Sequence, residues 1–581
     1  MIEPKKILKD VEVYETEDYI NNWEYKLDSN ENNFGPSIKV LIGIARLKPK
    51  DICFYPSYGE AKDKIAQYNN VESKNILLTN GADEAISVIY NTYLEPKDAV
   101  LTVTPTFSMP KIYAKTIGAK YIEINYKPKW EFPIEAFLYS ITERVKIIHL
   151  TTPNNPTGEV ISKKNLEKII SKAKDKLILI DETYSGYSGI TNVEYIKKYD
   201  NIFIVKSMSK DFGLAGLRIG YIVSQEENIK NLKKIISPYS VNGLATKAAI
   251  IAIEDEKYLE NIKIAIKDGK NRLINHFASL HLRAYPSEAN FLLVDCSYKC
   301  YFIYKKLKNA NIIVKKFNDP KLKSHLRITI GPKNSVDKII DKLKYKPAIV
   351  FDMDGVLIDT SDSYRMAIKY TVEHYSNKPI ELNKIQEIKN RGGLNNDWDL
   401  TEYILNDLGI VIEREEIIKT FQSYYWGENG DGLINNEKIL IKEEVLKELS
   451  KSYHLCIFTG RPEKEAKYSL KTFGIDKYFD KIITMNDLPK NQQKPNSLGL
   501  EKIYQEILTY KIYYAGDTID DIKAGNSLAH KGYNITTIGI LPPQDKSEEL
   551  KEAFKRERAM IVLNDINEIE SILEINKVEN K

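Results

Sequence analysis

Short apolar runs that stop abruptly at polar clusters recur along the chain. Val145-Lys146-Ile147-Ile148-His149-Leu150 runs into Thr151-Thr152-Pro153-Asn154-Asn155-Pro156-Thr157-Gly158. Leu177-Ile178-Leu179-Ile180 runs into Asp181-Glu182-Thr183-Tyr184, and Ile202-Phe203-Ile204-Val205 leads to Ser207-Met208-Ser209-Lys210. Runs of this length without alternation predict parallel strands buried on both faces. Ligands of open α/β sheets bind beyond the carboxyl ends of such strands, so the three clusters are expected to converge. Ile76-Leu77-Leu78 before Thr79-Asn80-Gly81-Ala82-Asp83-Glu84, and Ala99–Val103 before Pro105-Thr106-Phe107, extend the pattern. Beyond residue 235 the period becomes helical, over 245–256 and 258–277, before strands return at Ala289-Asn290-Phe291 and at His325-Leu326-Arg327-Ile328-Thr329-Ile330-Gly331.

A second series of strands starts after the polar join Lys344-Tyr345-Lys346-Pro347. Ala348-Ile349-Val350-Phe351 leads into Asp352-Met353-Asp354-Gly355. Leu455-Cys456-Ile457-Phe458 leads into Thr459-Gly460-Arg461, and Ile512-Tyr513-Tyr514-Ala515 into Gly516-Asp517-Thr518-Ile519-Asp520-Asp521. The intervening stretch, about 361–443, is largely helical. Its polar loop Lys389-Asn390-Arg391-Gly392-Gly393-Leu394-Asn395-Asn396-Asp397-Trp398-Asp399 reads either as solvated or as a specificity loop.

At 581 residues the chain is too long for one core. Lys+Arg 85 against Asp+Glu 81 leaves a net charge of +4, with no basic surface for nucleic acid, so small molecules are the expected partners. Cys53, Cys296, Cys300 and Cys456 have no metal-ligand spacing and are too few for a disulfide framework, which suggests a reducing cytosol. The N-terminal residues form no apolar signal core, and no window approaches eighteen uncharged apolar residues, so no membrane span is expected.

The chemistry of the first half centres on Lys210. A lysine in a small-residue loop can form a Schiff base. Ser207, Ser209 and Arg218 around it offer groups for a phosphate dianion. Gly81-Ala82-Asp83 at a helix start adds free N–H groups and the positive end of the helix dipole. Together these suggest pyridoxal phosphate. Each residue has a plainer reading alone: Lys210 as a loop lysine, Asp181 as a helix cap, Tyr184 as a core ring.

Taken jointly and in this order, residues 20–343 resemble the fold-type I aminotransferases, and the Leu-Ala-Gly-Leu-Arg after Lys210 is most similar to the histidinol-phosphate aminotransferase branch. The resemblance implies a large, mostly parallel sheet at about 38–235 and a small α+β domain from the N-terminal segment plus 236–345. It implies Lys210 as the catalytic lysine, Asp181 facing the pyridine nitrogen, and Asn155 and Tyr184 facing the ring's phenolic oxygen. Phe107 would stack on the ring, where the family commonly has Tyr, and Pro110 stands where another Tyr is usual. Asn30, in Leu27-Asp28-Ser29-Asn30-Glu31-Asn32, would face the substrate, and Arg327 would grip the carboxylate of glutamate or 2-oxoglutarate. Tyr55, before Pro56, is by itself a rigid turn; by resemblance it crosses a homodimer interface to the neighbour's cofactor phosphate.

From 346 to 581 the chain resembles the haloacid dehalogenase superfamily of phosphatases, a Rossmann-like α/β fold with a helical cap. Two carboxylates flanking one residue can divide the labour: Asp352 attacks phosphorus, and Asp354 protonates the leaving alcohol and later activates water. By resemblance Thr459 and Lys494 hold phosphoryl oxygens. Asp352, Asp517 and the backbone carbonyl of Asp354 bind Mg²⁺, and Asp521 orients that shell. Tyr364-Arg365 and the Gly-Gly-Leu-Asn-Asn-Asp-Trp run are similar to a subgroup associated with histidine biosynthesis. The joint expectation is an enzyme that makes histidinol phosphate and then removes its phosphate. The alternatives are a phosphothreonine decarboxylase of the same fold fused to another phosphatase, or one half serving as a non-catalytic module.

Overall fold

Apolar runs buried on both faces do form the central sheets. The computed structural model describes residues 2–13, 23–390 and 396–573. It divides into two units, Met1–Leu343 and Lys344–Lys581. In the first, a seven-stranded sheet has the spatial order Ile76–Thr79, Gly220–Val223, Ile202–Ser207, Leu177–Asp181, Val145–Thr151, Ala99–Thr104, Lys120–Asn125. Gly220–Val223 runs antiparallel to both neighbours, and the other pairings are parallel. Successive side chains point to opposite faces. Ile178 and Ile180 therefore enter one core while Leu179 enters the other, and Ile204 and Phe203 divide in the same way. The outer strand, Lys120–Asn125, keeps Lys120 and Glu123 at the edge, where charge discourages pairing with another chain.

Register then places the chemistry. Thr151 pairs with Asp181 and Asp181 with Val205. Ser207 and Thr79 both pair with Gly220. The loops after these strands consequently leave the sheet side by side. A second, five-stranded sheet has the order Tyr25–Leu27, Ile312–Lys316, His325–Thr329, Phe291–Asp295, Arg283–Ala284. Within it Arg327 pairs with Leu293 on one side and Lys315 on the other. The helical stretch between the two sheets forms Gly243–Ile253, capped by Asn242, and then Glu256–Ser279.

The second unit has six parallel strands in the order Lys481–Ile483, His454–Phe458, Ala348–Phe351, Ile512–Gly516, Ile535–Ile540, Ile561–Leu563. Phe351 pairs with Ile457 and with Ala515, which brings three motif-bearing loops to one level. The last two strands carry the weakest local pattern of the six. In Ile535–Ile540 threonine and glycine interrupt the apolar run, and Gly539 lies so close to Phe554 that an added Cβ would meet its ring at 2.6 Å.

Between Ile358–Asp359 and its antiparallel partner Lys438–Ile439 lies a helical insert. Helices Tyr364–Ser376, Asp397–Asp407 and Arg414–Tyr425 share a core containing Ile368, Leu400 and Phe421. The helix Glu443–Ser452 packs Leu446 and Leu449 into the core of the main sheet instead, so the insert closes at the Lys438–Ile439 strand. Residues 391–395 of the polar loop lie outside the described residues. No helix among the described residues is long and apolar enough to cross a membrane.

Phe351 is fully buried in the second core. Phe351→Ala is expected to cost about 3–5 kcal/mol, and hydrogen exchange followed by mass spectrometry should show lost protection in peptides from 344–573 only. Equal loss in both units would contradict separate cores.

Two candidate active sites

In the first unit a cavity of about 520 Å³ opens beyond the carboxyl ends of the large sheet. Lys210 lines it, with Nζ donating to the Ser29 carbonyl at 2.9 Å. Burial pulls its pKa down to about 8, and the positive charge of Arg327 acts in the same direction. Asp181, also in the lining, accepts from the backbone N–H of Thr183 at 3.0 Å and from its hydroxyl at 2.6 Å. Burial pushes its pKa up to about 6 against these bonds. No cation among the described residues pairs with Asp181. Below the sheet end, His149 shares a 2.9 Å hydrogen bond with the Tyr90 hydroxyl, and burial keeps its imidazole neutral, with a pKa near 3.

The N-terminus of helix Gly81–Tyr93 meets Arg218 at one wall. Gly81 has φ +79°, and a Cβ there would stand 2.9 Å from an Arg218 Nη. Glycine is thus required by the left-handed conformation, and an added Cβ would in addition push the guanidinium aside. Arg218 donates to Asp83 at 3.0 Å, and the backbone N–H of Ser209 donates to the Ser207 hydroxyl at 3.2 Å. Ala82, Asp83, Ser207, Ser209 and Arg218 all line the cavity.

Opposite this wall, Asn30 donates to the Tyr184 hydroxyl at 2.9 Å. Arg327 donates to Asn155 Oδ1 at 2.5 Å and to the Asp28 carbonyl, and its guanidinium lies 5.6 Å from the Phe291 ring centroid. Phe107, Asn155, Tyr184, Asn30 and Arg327 are in the lining. Tyr55 is not. It is 78% exposed and stacks on Tyr239 at 4.3 Å, in a stretch that also exposes Ile52 and Phe54. Thr183 and Lys315 line the cavity without having been singled out from sequence. Thr183 had a local signal, an Asp two residues before a hydroxyl residue. Lys315 had none, because only its register beside Arg327 brings it there.

A buried carboxylate lacking a cation, a lysine of lowered pKa and an arginine at a helix N-terminus fit a pyridine ring bearing a phosphate.

In the second unit Lys494 Nζ lies 2.8 Å from both Asp352 and Asp521. Asp352 accepts from the Met353 N–H at 2.8 Å. Burial pushes the Asp352 carboxyl above the usual carboxylate range, opposed by Lys494. Burial also works against ionised Asp521. Lys494 and hydrogen bonds from Thr518 and Tyr514 nevertheless hold its pKa below the ordinary value. Carboxylate oxygens of Asp352, Asp517 and Asp521 come within 4.8 Å of one another. Gly355, at φ +69°, leaves room beside Asp517 that a Cβ would fill. So much carboxylate around one lysine fits a divalent cation.

The carboxylate of Asp354 points elsewhere, accepting from Arg461 Nε at 2.7 Å. Arg461 is buried and continues to Glu437, with Nη2 3.0 Å from Oε1, and to Ser469 at 2.8 Å. Tyr425 donates to the same Glu437 at 3.0 Å, and the Arg461 guanidinium sits 5.0 Å from the Tyr364 ring centroid. This ion cluster, which joins the strand-end loop to the insert, was missed from sequence. Asp352, Asp354, Asp517, Gly460 and Arg461 line a small pocket closed by Asp397 and Trp398 of the insert. Thr459 is buried behind it, its hydroxyl accepting from the Arg461 N–H at 3.1 Å.

Residues 24–343 match the family described as aminotransferase class I and II, and residues 349–535 match haloacid dehalogenase-like hydrolases. The chain belongs to the class I and II aminotransferases and carries a haloacid dehalogenase-like hydrolase domain behind the aminotransferase domain. Within that class it is similar to histidinol-phosphate aminotransferases. The one from Caldanaerobacter subterraneus subsp. tengcongensis is 32% identical over 329 residues, covering 55% of this chain and 93% of the relative. The one from Clostridium botulinum strain Langeland is 30% identical over 345 residues, covering 58% and 96%. The crystal structure of histidinol-phosphate aminotransferase from Clostridium acetobutylicum superposes with a TM-score of 0.51 at 26% identity, over 55% of this chain and 97% of that one. Membership of this family supports pyridoxal 5′-phosphate as the cofactor of the first cavity.

Competitive acylation of cofactor-free protein, read by mass spectrometry, should give Lys210 a midpoint near pH 8. Arg327→Met removes a positive charge and is expected to move that midpoint upward; an unchanged or lower midpoint would contradict the electrostatic account.

Proposed function

We propose that the first unit transfers an amino group from glutamate to imidazole acetol phosphate, giving histidinol phosphate and 2-oxoglutarate, and that the second unit hydrolyses the phosphomonoester so formed. The observation that carries the first step is Lys210 of lowered pKa in a cavity that also holds Asp181 and Arg327. Pyridoxal phosphate, when bound, supplies the electron sink. Asp181 would keep the ring nitrogen protonated, and the Tyr184 hydroxyl and the Asn155 amide would hydrogen-bond the phenolic oxygen. Lys210 would carry the proton between the substrate carbon and the cofactor as a free amine, which its low pKa favours. Arg327, supported by Asp28 and Asn155, would hold the substrate carboxylate through its planar fork. Ser207, Ser209, Arg218 and the Gly81-Ala82-Asp83 helix start would hold the cofactor phosphate, with Phe107 stacked on the ring and Asn30 facing the substrate.

The exposed Tyr55 supports a homodimer in which this residue reaches the partner's cofactor phosphate. The cytosol is the proposed compartment, consistent with four free thiols.

In the second unit Asp352 would attack phosphorus, and Asp354, oriented by Arg461, would protonate the departing alcohol and then take a proton from water. Lys494 and Thr459 would hold the phosphoryl group. Mg²⁺ on Asp352, Asp517 and the Asp354 carbonyl would offset the charge between nucleophile and substrate. Asp521, engaged by Thr518, Tyr514 and Lys494, would orient this set.

Asp352→Asn should abolish phosphate release from histidinol phosphate while leaving 2-oxoglutarate formation within about twofold, and Lys210→Ala should do the reverse. Asp354→Asn should lower phosphatase kcat by about 10²–10⁴. Joint loss of both activities in either single-site variant would contradict independent sites.

A further inference from the structure

Arg365 lies in the first turn of Tyr364–Ser376, the helix that opens the insert. The residue is only 8% exposed. Among the described residues its guanidinium has neither a hydrogen-bond partner nor an ion-pair partner; only its backbone N–H is engaged, by the Thr360 carbonyl at 3.4 Å. Most of this guanidinium is withdrawn from water and it has no partner among the described residues, so an anion brought into the same pocket would restore the interactions it has lost. Arg461, buried in the same unit, makes the contrast, since its fork is used by Asp354 and Glu437.

The Arg365 side chain lines a small pocket together with Asp354, Thr360, Gln386, Asp517 and Thr518. Asp354, Asp517 and Thr518 also line the pocket that contains Asp352. The two pockets therefore share a wall that carries Asp354 and Asp517, the second carboxylate of the first strand-end loop and a carboxylate of the third. Asp517, Asp397, Asp359 and Asp545 are near enough to act on the Arg365 charge, yet none forms an ion pair with it. A dianionic phosphoryl group brought to Asp352 would meet Lys494, which stands 2.8 Å from that carboxylate, and, across the wall of Asp354 and Asp517, the guanidinium of Arg365. Five N–H donors in a rigid fork suit its oxygens.

We propose that Arg365 binds the non-bridging oxygens of the substrate's phosphoryl group, as a cation supplied by the insert and independent of the departing alcohol. The proposal rests on the phosphatase reading of this site. It makes Arg365 a residue for phosphomonoesters in general, and leaves recognition of the alcohol to other parts of the insert.

The test uses the full chain with Mg²⁺. Binding of inorganic phosphate is measured by isothermal titration calorimetry, and hydrolysis of histidinol phosphate and p-nitrophenyl phosphate is measured in parallel, for the wild type, Arg365→Met and Arg365→Lys. Loss of a charged hydrogen bond predicts about tenfold to a hundredfold weaker phosphate binding in Arg365→Met. The kcat/KM for both esters should fall by a common factor, and Arg365→Lys should recover part of each loss. Unchanged phosphate affinity would overturn the proposal. So would a loss confined to histidinol phosphate, which would place Arg365 on the departing group. If Arg365→Met does not fold, Arg365→Lys decides alone: smaller losses of the same kind support the proposal, and none overturns it. A wild type that hydrolyses neither ester would remove the phosphatase reading, while the phosphate titrations would still decide whether Arg365 binds phosphate.

Discussion

A charge removed from water must meet an opposite charge or a set of hydrogen bonds, and in both units this requirement is met at the carboxyl ends of parallel strands. Lys494 can stay buried because Asp352 and Asp521 stand 2.8 Å away on either side. Asp181 stays buried through the hydroxyl and N–H of Thr183, which leave its pKa near 6. The sheets make such arrangements possible. Their strands are apolar on both faces and end in register, so the first polar residue after each strand enters a common space.

The two units meet the requirement differently. Around Lys210 charges of both signs line a roomy cavity, with Arg218, Lys315 and Arg327 available to anionic groups, as suits a phosphorylated cofactor and carboxylate substrates. Around Asp352 the carboxylates dominate and the space is small, as suits a divalent cation and a single phosphoryl group. Arg461 adds a structural tie, because its ion pairs join Asp354 on the strand-end loop to Glu437 at the return of the insert. Movement of the insert would therefore be felt at Asp354.

Much of this was legible in the sequence, for a physical reason. An apolar run followed at once by Asp181, by Asp352 or by Asp517 fixes both a strand and the level of the residue after it, and local pattern carries that information. Long-range register is not local. Nothing near Arg327 in sequence announces that its fork bridges Asn155 and Asp28, and nothing near Arg461 announces Glu437. The strands Ile535–Ile540 and Ile561–Leu563 have little local signal, because threonine and glycine dilute the first and the second is only three residues long. The insert was expected to end at about 443, and there the amphipathic helix Glu443–Ser452 begins and packs Leu446 and Leu449 into the core of the sheet.

The proposed function has one chain carry out two successive reactions on one carbon skeleton. Phosphorus NMR of the wild-type protein supplied with glutamate, Mg²⁺, pyridoxal phosphate and a limiting amount of imidazole acetol phosphate follows both directly. The account predicts that the histidinol phosphate signal rises and then falls while inorganic phosphate grows to match the starting ester. Histidinol phosphate that accumulates and persists would contradict it.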